Sequence, residues 1–417
     1  MSRNHVYVGI DWAEEEHAFH LFADQKQHHG FFKQDPHAIE QSIKAWRKKL
    51  PNATFLIAIE QSKGALINAL LSYDDLQIFP INPAALANYR EAFAHGGGKN
   101  DPSDAKLLGQ FLQHYHQQLR PLRRDEPITR ELAVLCEDRR RFVDQRTRYC
   151  NELKAMLKQY FPCVFQLKAA KIYAQFILRF LRKYPTLTKA KKAGANRLRK
   201  FFYGVSSKQK AEERVQVIVE ALPLTEDEVI LRTLSRRVIA ICELIHAINT
   251  TVDRYDDELK QLVRQHHDYA IVASLPNAST CTQTRILAAL GDDRSRYPDA
   301  HSLQCASGIA PITKQSGKQK IVCARWATTK FMKQTFHEFA GLSIKKSRWA
   351  RVYYDHQIQN GKTPQMAKRA LAFKWIRIIR RCWEDRVPYD EERYIQRLKE
   401  AGSPIAKLLA PNELCKN

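Results

Sequence analysis

Residues 5–10, HVYVGI, are a short apolar run rich in β-formers that ends at Asp11; residues 53–60, ATFLIAIE, are a second such run ending at Glu60. Runs of this length and composition, closed by polar residues, read as strands buried in a sheet. Around them, HAFHLF (17–22) and HHGFFK (28–33) are two further strand-like stretches, and Asp35-Pro36, a capping residue followed by an N1 proline, opens a helix over about 36–49. GALINALLSY (64–73) reads as helix, LQIFPI (76–81) as strand, PAALANYREAF (83–93) as a helix opened by Pro83, and one more helix begins near Asp101. Three strands, a helix, then alternating strand and helix predict an α/β domain built on a mixed sheet. Strand ends in such sheets converge on a crevice, which makes Asp11 and Glu60 candidates for one site. Asp101 and Asp104, three apart at a helix start, project from one face. Singly these acids are a turn residue, a strand end and an N-cap. Together they form a set able to hold two Mg²⁺ ions, because hard cations take oxygen ligands and an ion pair stabilises both the attacking and leaving oxygens of a phosphodiester. Gly96-Gly97-Gly98-Lys99 lacks the spaced glycine and following Ser/Thr of a phosphate loop and reads as a hinge.

The charge balance names the class of partner. The 417 residues hold 68 Lys+Arg against 44 Asp+Glu, a net charge of +24, and 44% are hydrophobic. A globular protein carrying that surplus repels itself unless a polyanion offsets the charge. No lipidation motif and no membrane-length apolar run directs it to a bilayer, so nucleic acid is the expected polyanion. The start, MSRNHVYVGIDW, lacks a signal-peptide core, and nine cysteines with no C-x-x-C pair read as reduced thiols, so a cytoplasmic protein is expected. The pairs His114/His116 and His266/His267 lack zinc-like spacing and read as surface or core histidines.

The middle of the chain reads as helical. Leu231, Leu234, Val238, Ile241, Ile245, Ile248, Val252, Tyr255, Leu259 and Leu262 step by three and four without a miss, a coiled-coil seam. A weaker seam covers 132–160, with Arg139 and Arg146 at seam positions. The two helices can pair within one chain or between chains, and the second case makes a homo-oligomer, dimer or tetramer. Residues 161–210 hold 13 Lys+Arg and no acid. Lys189, Lys191, Lys192, Arg197, Arg199 and Lys200 are candidates there for phosphate contacts, and Tyr173, Phe176, Phe180, Tyr184, Phe201, Phe202 and Tyr203 can stack on bases or fill a small core. IVASLPNASTCTQTRILAALGDD, from residue 271, reads as helix, tight turn, helix, and two basic helices follow over 327–348 and 363–385. The expected division is 1–123, an α/β catalytic domain; 124–268, helical, with the basic insertion; 269–385, mainly helical; and 386–417, a polar tail.

VYVGIDWAEEEHAFHLF, FLIAIEQSKGAL and INPAALANYREAFAHGGGKNDPSDAKLL together resemble the N-terminal RuvC-like domain of the bridge-RNA-guided DEDD transposases, the IS-one-ten family of insertion sequences. The resemblance covers roughly 1–120 and 270–385. It implies an RNase H-like fold, Asp11, Glu60, Asp101 and Asp104 as the family's metal-binding acids, double-stranded donor and target DNA, and a structured guide RNA. It also selects a serine. On spacing alone, Ser316 and Ser307 in ASGIAPITKQSGKQK are equal rivals, and each can be a turn serine. The family pattern falls on Ser316 and implies that it attacks a DNA phosphodiester to form a covalent phosphoserine, assisted by the acids and their Mg²⁺ from the same or another protomer. Lys314, Lys318 and Lys320 around it suit a bound phosphate. In one departure, Asn277-Ala278-Ser279 stands where the family has hairpin glycines. A RuvC-like junction resolvase using metal-activated water is the competing enzyme, and a nucleic-acid scaffold with structural acids is the competing binding protein.

Overall fold

The computed structural model describes residues 5–23, 26–93, 101–317, 319–325 and 328–409, without the side chains of Phe93 and Asp101. The chain divides into two compact units, 1–125 and 126–417.

In the first unit β1 (His5–Asp11), β2 (Glu16–Ala23) and β3 (Lys26–Lys33) precede α1 (Pro36–Lys49). β4 (Thr54–Ile59), α2 (Ala65–Leu70), β5 (Leu76–Pro80), α3 (Pro83–Phe93) and α4 (Asp101–Tyr115) follow. The sheet order is β3-β2-β1-β4-β5, antiparallel through β2 and β3 and parallel from β1 to β4 to β5. This is the mixed, RNase H-like α/β sheet expected. Asp35 starts α1 by accepting from the backbone N–H groups of His37 and Ala38 at 3.0 Å each, so two otherwise orphaned donors are satisfied. Every residue of β4 is buried, because helices cover both faces. On one face Val8, Ile10, Ile57 and Ile59 pack with Ile43 and Trp46 of α1 and Leu66 of α2. On the other, Leu56 and Ala58 pack with Leu86 of α3 and Leu108 and Leu112 of α4.

The second unit is mainly helical. α5 (Pro127–Tyr160) leads to α6 (Gln175–Lys183), α7 (Leu187–Tyr203), α8 (Lys208–Glu220) and α9 (Glu228–Val263). At 34 and 36 residues, α5 and α9 are each about 50 Å long at 1.5 Å per residue. They run antiparallel, since Arg139 pairs with Asp256, Arg146 with Asn249, and Glu152 with Arg237. The α9 seam residues Val238, Ile241, Ile245, Ile248, Val252 and Leu259 are buried by this packing. Pairing within one chain therefore closes the seam, and the route to an oligomer through a free α9 stripe falls away. The seam arginines are satisfied as well: Arg139 donates to both Asp256 oxygens at 2.6 and 2.9 Å, and Arg146 lies 4.2 Å over the Tyr173 ring. Ile241→Asp places an unpaired charge at a site only 4% exposed, so a loss of several kcal/mol is expected, read in urea as loss of cooperative unfolding of the second unit.

Most aromatics of the 161–210 stretch fill a core. Phe180, Tyr184 and Phe202 are buried with Leu153, Leu157 and Ile241, while Tyr203 stays exposed. α7 is kinked at Gly194, whose φ of +78° only glycine adopts readily.

α10 (Tyr269–Ala273) and α11 (Thr280–Leu290) form the expected helix-turn-helix, followed by α12 (Ala300–Ala306), the hairpin β6 (Ile312–Ser316)–β7 (Gln319–Cys323), α13 (Lys330–Ser343), α14 (Arg348–Gln359), α15 (Pro364–Asp385), α16 (Glu391–Glu400) and α17 (Pro404–Leu409). At the α10–α11 turn Asn277 takes the left-handed conformation, φ 58°, that a hairpin glycine would supply, and its side chain donates to the Leu342 carbonyl at 2.9 Å. Asparagine tolerates this region through its short polar side chain, so the turn survives without glycine. One expectation changes. The basic helix expected over 327–348 is α13 and ends at Ser343, and a further helix not expected, α14, begins at Arg348, where Ser347 caps it by accepting from Ala350 N–H. Of the two outcomes expected for the polar tail, peripheral packing or fraying, the stretch up to residue 409 packs: Ile395 is buried, and Tyr389 accepts a 2.7 Å hydrogen bond from the buried Trp349 indole.

Candidate active site

Alternation along the strands decides which face of the sheet each side chain takes. Tyr7, Gly9 and Asp11 share one face of β1, and Leu56 and Ala58 share one face of β4. The parallel register pairs Gly9 with Ala58 and Ile10 with Ile59. Asp11 is the last residue of β1 and Glu60 follows the last residue of β4, so both acids stand at the same end of two neighbouring strands. Tyr7, Leu56 and Ala58 pack against α3 and α4, so Asp11, in step with Tyr7 and Gly9 along β1, belongs to the face those helices cover. Asp11 is partly exposed and Glu60 exposed.

Glycine brings α4 onto β1. A Cβ on Gly9 would lie 1.9 Å from the Ala105 carbonyl oxygen and 2.4 Å from the Gly109 nitrogen, and one on Gly109 would lie 2.5 Å from the Phe22 ring. Only backbone against backbone allows that approach, and it sets Asp104, the neighbour of Ala105, against the strand that ends at Asp11. Gly9→Ala forces the helix outward. A loss of about 1–3 kcal/mol in urea unfolding is expected, with DNA cleavage reduced because Asp104 moves with its helix.

Asp104 is buried, 7% exposed, and accepts from the Arg90 guanidinium of α3 at 2.7 Å. Arg90 was not singled out in the sequence, where a basic residue in PAALANYREAF looks like any solvated helix position. The Gly9 approach did have a signal: a glycine inside a β-rich run marks close backbone contact. The side chain of Asp101 lies outside the described residues; its backbone opens α4.

The donor set fits hard divalent ions, since carboxylate oxygens are what such ions take. Two ions about 3.5–4 Å apart also do not require the acids to converge on one point. Among the described residues the one group of three ligand-type side chains with donor atoms within 4.8 Å of each other is elsewhere: His266, His267 and Asp292. Its hydrogen bonds assign it another task. His266 Nδ1 accepts from Asp268 N–H at 3.0 Å, so Nε2 carries the proton and donates to Thr129 at 2.9 Å; Thr129 in turn donates to Asp292 at 2.7 Å. A metal on Nε2 would need the proton on Nδ1, facing another N–H. Burial also lowers the His266 pKa, which keeps it neutral.

The two serines separate. Ser307 is fully buried and donates to the Gln304 carbonyl at 3.0 Å, the task of a helix end. Ser316 is exposed at the last position of β6, paired with Gln319 across a two-residue turn in which Gly317 has φ 55°. That left-handed residue is what a tight hairpin requires. Lys314 and Lys320 are exposed on the same hairpin, and Lys318 lies outside the described residues. The hairpin also exposes Ile321 and Val322 at 56% and 62%, although an isolated two-stranded ribbon is marginal in water. In the basic stretch Lys189, Lys191, Lys192, Arg197 and Lys200 are exposed, whereas Arg199 is held by Glu212 at 2.8 Å. Among the described residues no helix is long and apolar enough to cross a membrane.

Known proteins of similar sequence fix the family. A family model for DEDD transposases of the IS110 type, described as Transposase, matches residues 8–162, and one described as Transposase IS116/IS110/IS902 family matches residues 269–355. The IS117 mini-circle protein of Streptomyces coelicolor, described as a putative transposase, is 27% identical over 421 aligned residues, covering 95% of this chain and 98% of that one. The insertion element IS900 42 kDa protein of Mycobacterium paratuberculosis is 24% identical, covering 92% of this chain and 97% of its own length. The DEDD type implies divalent metal ions, and transposition implies DNA as partner. The first match spans both strand-end acids and the start of α4, and the second spans the serine hairpin, so the chain belongs to the IS110 family of insertion-sequence transposases, enzymes that cut DNA.

Proposed function

We propose that this transposase cuts and rejoins DNA with Asp11, Glu60, Asp101 and Asp104 as Mg²⁺ ligands and Ser316 as nucleophile, directed to its sites by a structured guide RNA. The observation that carries the reading is that Asp11 and Glu60 lie at the same end of the neighbouring strands β1 and β4, on the first of which Gly9 seats the helix of Asp104. When bound, a pair of divalent ions supplies Lewis-acid stabilisation of a phosphodiester in displacement. Arg90 balances the charge of buried Asp104 and must share or release that carboxylate as a ligand role begins.

The serine reading is supported by an exposed hydroxyl at a hairpin tip between lysines. Its oxygen forms a bond to phosphorus as the bond from phosphorus to a sugar oxygen breaks. The serine proton leaves to a base, the freed sugar oxygen takes one up, and attack by a second strand's hydroxyl reverses the step. Lys314 and Lys320 offset charge on the attacked phosphate. Exchange between two duplexes needs several such sites, so we propose a homo-oligomer, assembled by surfaces other than the closed α9 seam.

The guide RNA is tested on the basic stretch. Purified protein is expected to carry a discrete RNA. Neutralising Lys189, Lys191, Lys192, Arg197 and Lys200 together should weaken RNA binding and reduce the slope of log affinity against log salt by several units, roughly 0.7–0.9 for each phosphate no longer neutralised. Arg199, already paired, should add little when neutralised. An unchanged slope removes the stretch from the interface.

A further inference from the structure

A cavity of about 520 Å³ opens between α15 and α16, on elements that the cleavage and rejoining steps do not use. Lys374, Arg377 and Arg381 line it from α15 at spacings of three and four, hence from one face, and Arg393 and Arg397 line it from α16 four apart. Two acids also line it, and both are engaged. Asp385 accepts from Arg381 at 2.6 Å, and Asp390 caps α16 by accepting from the Arg393 N–H at 3.0 Å. Lys374, Arg377, Arg393 and Arg397 have no carboxylate partner among the described residues. Burial and the neighbouring Arg377 both push the Lys374 ammonium below its usual pKa, as expected of cations crowded without a counter-ion. The lining also has apolar parts, Ile378, Val387 and Leu398, together with the half-buried Tyr394.

We propose that this cavity receives one unpaired nucleotide of the bound nucleic acid, with its base against the apolar lining and Tyr394 and its flanking phosphates on Lys374, Arg377, Arg393 and Arg397. Cations alone would suit any phosphate. An apolar recess behind them suits a base, whose flat face packs on aromatic and guanidinium planes. A duplex keeps its bases stacked inside, so only a splayed or single-stranded nucleotide can enter. The proposal needs nucleic acid as partner and is independent of the serine step, so failure of either leaves the other standing.

The test uses the full-length protein with three short probes: single-stranded DNA, RNA of the same sequence, and the blunt DNA duplex, each titrated over a range of salt. Arg377→Gln, Arg393→Gln and Arg397→Gln combined should weaken single-strand binding about tenfold or more. The salt slope should fall by about two, near 0.7 for each phosphate the variant no longer holds. Lys48→Gln with Lys49→Gln, exposed on α1, is the control and should change little. Duplex binding should suffer less than single-strand binding, and whichever single strand is weakened more identifies the source as DNA or RNA. An abasic site at one position should weaken the wild type and not the triple variant, and a 5-iodouracil crosslink should map to the peptide containing Tyr394. Equal losses for duplex and single strand, or indifference to the abasic site, would overturn the proposal. Thermal melting confirms that the variants are folded.

Discussion

Asp11→Ala and Asp104→Ala are each expected to abolish strand cleavage while leaving nucleic-acid binding within a few fold of the wild type. Binding and chemistry separate on the proposed assignment because phosphate contacts come from Lys and Arg, whereas charge stabilisation in the transition state would come from the ions these acids are proposed to hold. Several kcal/mol of that stabilisation, at tenfold per 1.4 kcal/mol, is on the order of a thousandfold in rate. Asp104→Ala also strands Arg90 in a partly buried position, so Asp104→Asn, which can still accept from the guanidinium, is the cleaner variant. Cleavage and binding are measured on the same DNA in Mg²⁺ and again with a chelator. Full cleavage by Asp11→Ala in chelator would remove the metal assignment.

The second large effect divides rejoining from hydrolysis. A hydrolytic nuclease discards phosphodiester energy, whereas a phosphoserine keeps it for the second strand. Ser316→Ala should stop strand exchange by several orders of magnitude and leave no protein-linked DNA. The exposed hairpin position predicts an unchanged melting temperature. Ser307→Ala should behave in the opposite way. It loses a buried hydrogen bond worth about 1 kcal/mol, lowers the melting point slightly, and keeps both exchange and adduct. Wild-type protein trapped on nicked DNA, denatured and digested should yield DNA on the peptide containing Ser316. Recombination by Ser316→Ala, or an adduct elsewhere, would favour the resolvase reading with water as nucleophile.

Local chemistry was legible in the sequence where it is decided locally. The apolar runs ending at Asp11 and Glu60 are strands because alternating and continuous burial leave few other conformations. The Asp35-Pro36 start gave α1 its observed first residue, since a cap and an N1 proline act over one turn. The heptads of 231–262 became one unbroken helix. The basic surplus pointed to nucleic acid because net charge is additive and needs no fold.

What the tertiary structure decided is everything that depends on which surfaces meet. A heptad stripe states that a partner exists and is silent on whose it is; α5 supplied it from within the chain. An aromatic residue in a basic stretch can stack on a base or fill a core, and packing sent Phe180 and Phe202 inward and left Tyr203 outside. Ser307 and Ser316, equal by spacing, parted when one was buried at a helix end and the other stood on a hairpin. Arg90 reached Asp104 from a different helix, and the C-terminal stretch, polar in composition, buried Ile395 and docked Tyr389 on Trp349. Propensity, capping and charge act over a few residues and can be read along the chain. Burial and ion pairing act between residues brought together only when the core closes, and they take their sign from neighbours distant in the chain.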